Sequence, residues 1–188
     1  MLAMGSKKGR LIVIAAPSGT GKGSILDYIK KIRPDIKHSI SATTREPRDN
    51  EIPGLSYHFV SRERFKEMID DDEFLEYAEY IGEFYGTPKK PIYELIDQGL
   101  DVVLEIEVQG AKQVMGLDFE TLSIFIVPPD MDELERRLRG RGTDSEDNLL
   151  MRLKRASVEM EERFLYSHVV VNDDIVRAAE EILGIIDN

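Results

Sequence analysis

The run Ile12-Val13-Ile14-Ala15-Ala16-Pro17-Ser18-Gly19-Thr20-Gly21-Lys22-Gly23-Ser24 passes from an apolar strand through a glycine-rich turn to a lysine and then to a helical pattern. A chain that wraps a polyphosphate with its backbone N–H groups must turn tightly with no side chains in the way, which Gly19 and Gly21 permit. The helix beginning near Lys22 aims unpaired N–H groups and the positive end of its dipole at the anion. Lys22 adds a mobile point charge that can follow a phosphoryl group in transfer. Ala16 stands where such a loop usually has its first glycine, and Gly23 where a hydroxyl residue usually holds magnesium. Coordination of a metal through water, or by Ser24, is left open by that second departure.

The chain carries a formal net charge of −11. Such a charge argues against non-specific binding of nucleic acid and requires that a phosphorylated substrate be drawn in by local basic clusters. Arg45 and Arg48 form one cluster across Pro47, able to offer two planar guanidinium forks to a phosphate dianion. Arg136, Arg137, Arg139 and Arg141 form another, with Arg152 beyond it. Arg137 and Arg139 each have a glutamate four residues earlier, Glu133 and Glu135, so helix salt bridges compete with phosphate binding for both. His38, His58 and His168 are far apart and match no metal-ligand spacing.

These groups need a scaffold, and 188 residues suffice for one compact fold. The apolar runs at Leu11–Ala16, Val102–Ile106, Leu122–Val127 and Val169–Val171 are short and nearly continuous, as strands buried on both faces are. Helical patterns alternate with them: Ile25, Leu26, Ile29 and Ile32, stopped by Pro34; Tyr93, Leu95 and Ile96, ending near Gly99; Leu134 and Leu138, ending at Gly140. The alternation predicts an α/β fold with a parallel sheet and sites at the carboxyl ends of its strands. Glu105 and Glu107 are expected there, on one face. Ser39 to Pro91 reads as an inserted subdomain of short strands with a helix from about Ser61 to Asp71. The polar, glycine-bounded stretch from Gly140 to Asp147, followed by another helical pattern, reads as a lid.

With 41% hydrophobic and 32% charged residues the composition is that of a soluble globular protein. No apolar stretch is long enough to span a bilayer. Residues Met1 to Gly9 lack the apolar core of a secretory signal, and there are no cysteines for disulfides or thiolate metal sites. The expected setting is cytoplasmic, without membrane or nucleic-acid partners.

The cradle is followed in order by Ser41-Ala42-Thr43-Thr44-Arg45-Glu46-Pro47-Arg48, Tyr57-His58-Phe59, Glu73-Phe74-Leu75-Glu76, Phe84-Tyr85-Gly86-Thr87, Glu105-Ile106-Glu107-Val108-Gln109-Gly110 and Arg139-Gly140-Arg141-Gly142-Thr143. In these motifs, over roughly Leu11 to Asp174, the chain resembles the guanylate kinase family. The resemblance implies a P-loop kinase core (9–38, 92–138 and 156–188), a GMP-binding subdomain (39–91) and a lid (139–155). It implies transfer of the terminal phosphoryl group of ATP to GMP, in purine nucleotide metabolism. Magnesium would enter with ATP, held mainly by phosphates and water. A homo-oligomer stays open.

The same resemblance assigns residues. Ala16, Pro17, Ser18, Gly19, Thr20, Gly21, Lys22, Gly23 and Ser24 would bind ATP, with Asn172 near the adenine. Arg45, Arg48, Tyr57 and Tyr85 would hold the GMP phosphate, with aromatic core as the competing reading for both tyrosines. Ser41, Glu76 and Thr87 would read the guanine. A carboxylate accepts from both guanine N1 and the 2-amino group, whereas adenine presents a lone pair at N1; such a site rejects the wrong base by about four orders of magnitude. Without the resemblance, Glu76 in its acidic surroundings reads as an exposed helix end. Glu107 stands where the family commonly has aspartate, and contact with guanine, directly or through water, or with the metal's waters stays open. Lys22, Arg45, Arg141 and Arg152 would do the catalytic work of neutralising charge. A non-catalytic phosphopeptide-binding module of the same family, and a kinase acting on a ribose bisphosphate, are the competing readings.

Overall fold

In a computed structural model, residues 8–80, 82–117, 120–140 and 145–188 are described. Their elements run β1 (Leu11–Ala15), α1 (Lys22–Ile32), β2 (Lys37–His38), β3 (Ala42–Thr43), β4 (His58–Phe59), α2 (Arg62–Asp70), β5 (Phe74–Tyr80), β6 (Glu83–Pro88), α3 (Lys89–Asp97), β7 (Val102–Glu105), α4 (Val108–Met115), β8 (Thr121–Val127), α5 (Met131–Gly140), α6 (Glu146–Met160), a 3-10 turn (Glu161–Leu165), β9 (His168–Val171) and α7 (Ile175–Ile186). One sheet has the strand order β2-β7-β1-β8-β9, and its β2–β7 and β8–β9 pairs are parallel. A second, mixed sheet has the order β4-β3-β6-β5, with β3–β4 parallel and β3–β6 and β5–β6 antiparallel. The α/β architecture, a parallel sheet flanked by helices together with a mixed sheet, is thus as predicted.

Every residue of β1 is buried, the burial its continuous apolar run requires. Helix α1 stops at Ile32, two residues before Pro34, whose ring excludes a helical conformation at the residue before it. Helices α2, α6 and α7 begin at Ser61, Ser145 and Asp174, whose side chains accept from the backbone N–H groups of Arg64, Asn148 and Arg177 at 3.1, 3.3 and 3.0 Å. Four elements lie outside the sequence reading: β2, α4, the 3-10 turn and α7. Two-residue β2 is too short for periodicity to register. Helix α4 is short, follows β7 after two residues and contains Gly110, a poor helix former. Helix α7 had a legible signal, Asp174 as cap and Ala178, Ala179, Ile182 and Ile186 as buried stripe.

The chain divides into two compact units. One comprises the residues up to Leu11, Ile36–Glu105 and Gln109–Thr121; the other comprises Ile12–Asp35, Ile106–Val108 and Leu122–Asn188. The first contains a core of Ala42, Phe65, Met68 and Phe74 under the mixed sheet, with Val60, Ile69 and Phe84 against it. Phe65 stacks on Phe74 at 4.5 Å and on Phe84 at 5.4 Å between ring centroids. In the second, α1 packs on α7, and Leu134, Leu138, Leu149 and Ala156 join α5 to α6.

Phe65 is fully buried, so Phe65→Ala should lower unfolding free energy by about 3–5 kcal/mol. Urea denaturation at unchanged m-value checks this.

Candidate active site

The second unit contains the cradle. Gly19 and Gly21 adopt φ of 93° and 91°, the left-handed region. Neither has room for a side chain. A Cβ on Gly19 would lie 2.6 Å from Leu138 Cδ2, and one on Gly21 would lie 2.5 Å from Asn172 Nδ2. The turn is held by its own polar groups: Thr20 Oγ1 donates to Pro17 O at 2.9 Å. The Thr20 carbonyl accepts from Asn172 Nδ2 at 2.6 Å and from Arg137 Nη1 at 3.1 Å. Arg137 also donates Nη2 to the Asn172 carbonyl at 2.9 Å and Nε to Glu133 at 2.6 Å. Tied back in this way, the Thr20 carbonyl cannot turn toward an anion, and the opposite side of its peptide, the Gly21 N–H, is fixed as well.

Gly21 caps α1 without a side-chain hydrogen bond, so no side chain occupies the capping position at this helix N-terminus. A cavity of about 370 Å³ lies against Ala16, Pro17, Ser18, Gly19, Thr20, Gly21, Lys22, Gly23, Ser24, Asp27 and Glu107. Lys22 Nζ donates to the Ile106 carbonyl at 2.8 Å, and Arg152 Nη2 to Ser18 Oγ at 2.7 Å. Arg139 is taken by Glu135 and Glu146, as the helix spacing anticipates for the first of these. Arg141 lies outside the described residues. Asn172, only 2% exposed, buttresses the loop. β7 ends at Glu105, so Glu107 lies past the strand alternation and lines the cavity from the turn into α4.

The first unit contains the predicted acceptor residues. Glu76 is on strand β5 and 6% exposed, which overturns the exposed helix end that its acidic neighbours suggest. It stands opposite Thr87 on β6, whose hydroxyl donates to Glu76 Oε1 at 2.6 Å. The β3–β6 register pairs Ala42 with Gly86, so carried one residue further it sets Ser41 opposite Thr87. Thr87 and Glu76 therefore form a row across β6 and β5, with Ser41 in the residue just before β3.

Beyond them, Arg45 lies 5.5 Å from the centre of the Tyr57 ring, and Tyr57 meets Tyr85 edge-on at 6.1 Å. Both tyrosines thus stand beside a cation. Burial, then the nearby Glu105 charge, pushes the Tyr57 hydroxyl above its ordinary pKa and keeps it a donor. Arg45 is clamped by Glu51, Nη1 to Oε2 at 3.0 Å and Nη2 to Oε1 at 2.8 Å. Glu51 also accepts from the backbone N–H of Arg48, whose side chain is exposed. Sequence reasoning missed Glu51, although its offset of six from Arg45 across a proline turn is a legible clue.

Glycine-rich cradle, lysine, helix start and parallel sheet together define a P-loop nucleotide-binding protein. A family model described as guanylate kinase matches residues 8–188. Guanylate kinase of Carboxydothermus hydrogenoformans is 45% identical over 179 residues, 95% of this chain and 88% of that protein. That of Trichodesmium erythraeum is 49% identical over 167 residues, 89% and 90% of the two. The crystal structure of guanylate kinase from Anaplasma phagocytophilum is 34% identical and superposes with a TM-score of 0.77, covering 98% of this chain and 88% of its own. The chain belongs to the guanylate kinase family.

The Arg45 and Arg48 contacts lower the Glu51 pKa from 4.5 to about 2. A folded-state pKa below the unfolded one adds stability that is complete above the unfolded value and lost as pH falls through the folded one. Between pH 4.5 and about 2 the protein should therefore lose stability more steeply than Glu51→Gln does, as thermal melts across that range would show. Parallel acid limbs would remove Glu51 as the holder of Arg45.

Proposed function

We propose that this chain transfers the terminal phosphoryl group of ATP to GMP, giving ADP and GDP. The observation that carries the substrate assignment is the buried Glu76 carboxylate held by the Thr87 hydroxyl, in a chain that also has a phosphate cradle with its lysine. A carboxylate oriented by a hydroxyl is complementary to the N1–H and 2-amino donors of guanine and opposes the lone pair of adenine N1. A phosphopeptide module would use neither Lys22 nor the cradle, and a ribose bisphosphate offers no base to the row.

In the transfer, an oxygen of the GMP phosphate forms a bond to the γ-phosphorus of ATP as the bond to the β,γ-bridging oxygen breaks, and ADP leaves with the electron pair. Negative charge spreads over the transferred group, so the protein acts by position and neutralisation. Backbone N–H groups of the cradle bind the ATP phosphates. Lys22 exchanges the Ile106 carbonyl for phosphate oxygen, a stronger acceptor. Arg152, held at the loop by Ser18, supplies further positive charge, and Arg141 is assigned the same work. Arg45, kept charged and oriented by Glu51, binds the GMP phosphate with Arg48 and the Tyr57 and Tyr85 hydroxyls. Asn172 serves the ATP site from beneath the loop.

Magnesium, when bound with ATP, supplies charge neutralisation between the phosphates. Ser24 and Glu107, both lining the cavity, are hard oxygen donors of the kind it takes directly or through water. No helix among the described residues is long and apolar enough to cross a membrane, and we place the reaction in cytoplasmic purine nucleotide recycling. We also retain 39–91 as the GMP-binding subdomain and 139–155 as the lid.

ADP release from ATP with GMP, AMP, CMP or UMP as acceptor tests the proposal. Turnover is expected with GMP. Lys22→Met should lower kcat by about a thousandfold or more, the scale of losing one charge-stabilising group. Glu76→Gln should chiefly raise the KM for GMP and shrink its advantage over AMP. Unaltered turnover in Lys22→Met, or equal use of AMP by the wild type, would overturn the assignment.

A further inference from the structure

The row that carries Glu76 is irregular where it matters. Along β5 the pairing with β6 steps from Phe74 opposite Pro88 to Glu76 opposite Thr87, so the register shifts at Leu75, next to the carboxylate. Such a shift re-aims a side chain but loosens the ladder that would fix its direction. β5 is also the edge strand of its sheet. A specificity residue there needs support from outside the sheet.

Helix α4 supplies it. Gln113 donates Nε2 to the Tyr77 carbonyl at 2.9 Å and accepts from the Tyr77 N–H at its Oε1 at 3.2 Å. Its amide thus acts as one residue of an additional strand, closing both backbone groups of the position after Glu76. One turn earlier on the same helix face, Gly110 lies directly against the carboxylate: a Cβ there would come within 2.2 Å of Glu76 Oε2 and 2.9 Å of its Cδ. One carboxylate oxygen meets the Thr87 hydroxyl, and the other faces the bare backbone of Gly110.

We infer that Gln113 is a positioning residue for guanine specificity: it fixes β5 beside the register shift so that Glu76 keeps its direction, while Gly110 leaves that carboxylate its space. This rests on the reading of Glu76 as the guanine-recognising group. Gln113 touches no substrate and acts only through the backbone of Tyr77.

The test compares wild type with Gln113→Met, which keeps length and helix propensity but cannot form the paired bonds, and with Gln113→Ala. Steady-state kinetics with ATP and either GMP or IMP supply the readout, because IMP lacks the 2-amino group and has less of Glu76 to lose. Both variants should raise the KM for GMP about tenfold, the scale of losing two exposed hydrogen bonds. The KM for ATP should stay unchanged, and the GMP:IMP ratio of kcat/KM should fall. Gly110→Ala, which displaces the carboxylate itself, should lower that ratio further. A reduced melting temperature with an unchanged GMP:IMP ratio in Gln113→Met would show a merely structural contact and overturn the inference. Failure of the wild type to phosphorylate GMP would overturn the guanine reading and the positioning role with it, and is told apart because it needs no variant.

Discussion

A backbone can bind a polyanion only if its carbonyls are turned away, and here that depends on the Thr20 carbonyl. Two donors from distant parts of the chain, Asn172 and Arg137, hold it from behind. Much of the second unit can be traced outward from that point. Asn172 follows β9, its own N–H donating to Val127 O at the end of β8. Arg137 needs Glu133 one turn earlier to fix its guanidinium, and Leu134 and Leu138 of the same helix are the surface on which Gly19 rests. The preorganisation is built into the folded protein, so binding does not require ordering the loop.

The same economy governs the charged side chains. In a chain with net charge −11, several arginines near the two binding regions are paired with carboxylates: Arg45 with Glu51, Arg137 with Glu133, Arg155 with Glu159. Each pair fixes the plane of a guanidinium fork. Glu159 shows the limit of the device. It is 8% exposed, and burial raises its pKa despite Arg155. Arg155 in turn approaches Glu107, 3.9 Å away on the rim of the phosphate cavity. A charge pattern that looks repulsive as composition is thus, residue by residue, a set of oriented cations.

The acceptor row in the first unit rests on another kind of constraint. Thr87 and Glu76 come from β6 and β5 and are aligned by their antiparallel register, with Ser41 just ahead of β3. Phe65, Phe74 and Phe84 stack beneath the sheet and hold it to α2. Thr87 and Glu76 are both buried, so their mutual hydrogen bond satisfies groups that would otherwise be costly to bury.

The cradle, the alternating strands and helices, and the arginine clusters were legible from the sequence because each is local. A left-handed turn needs glycine at two close positions, a buried strand needs consecutive apolar residues, and a helix needs its cap and its period, all within a few residues. The motifs in series also carried the family. What the tertiary structure decided is every role that depends on a partner remote in the chain. Glu76 looks like an exposed acid among exposed acids until β5 turns it inward against Thr87. Asn172 becomes a buttress of a loop more than a hundred residues earlier. Glu51, Gln113 and Gly110 carry no chemical signature of their own, since their work is to hold another residue in place. Sequence periodicity records which face of an element is buried, but not which distant atom the fold brings against it.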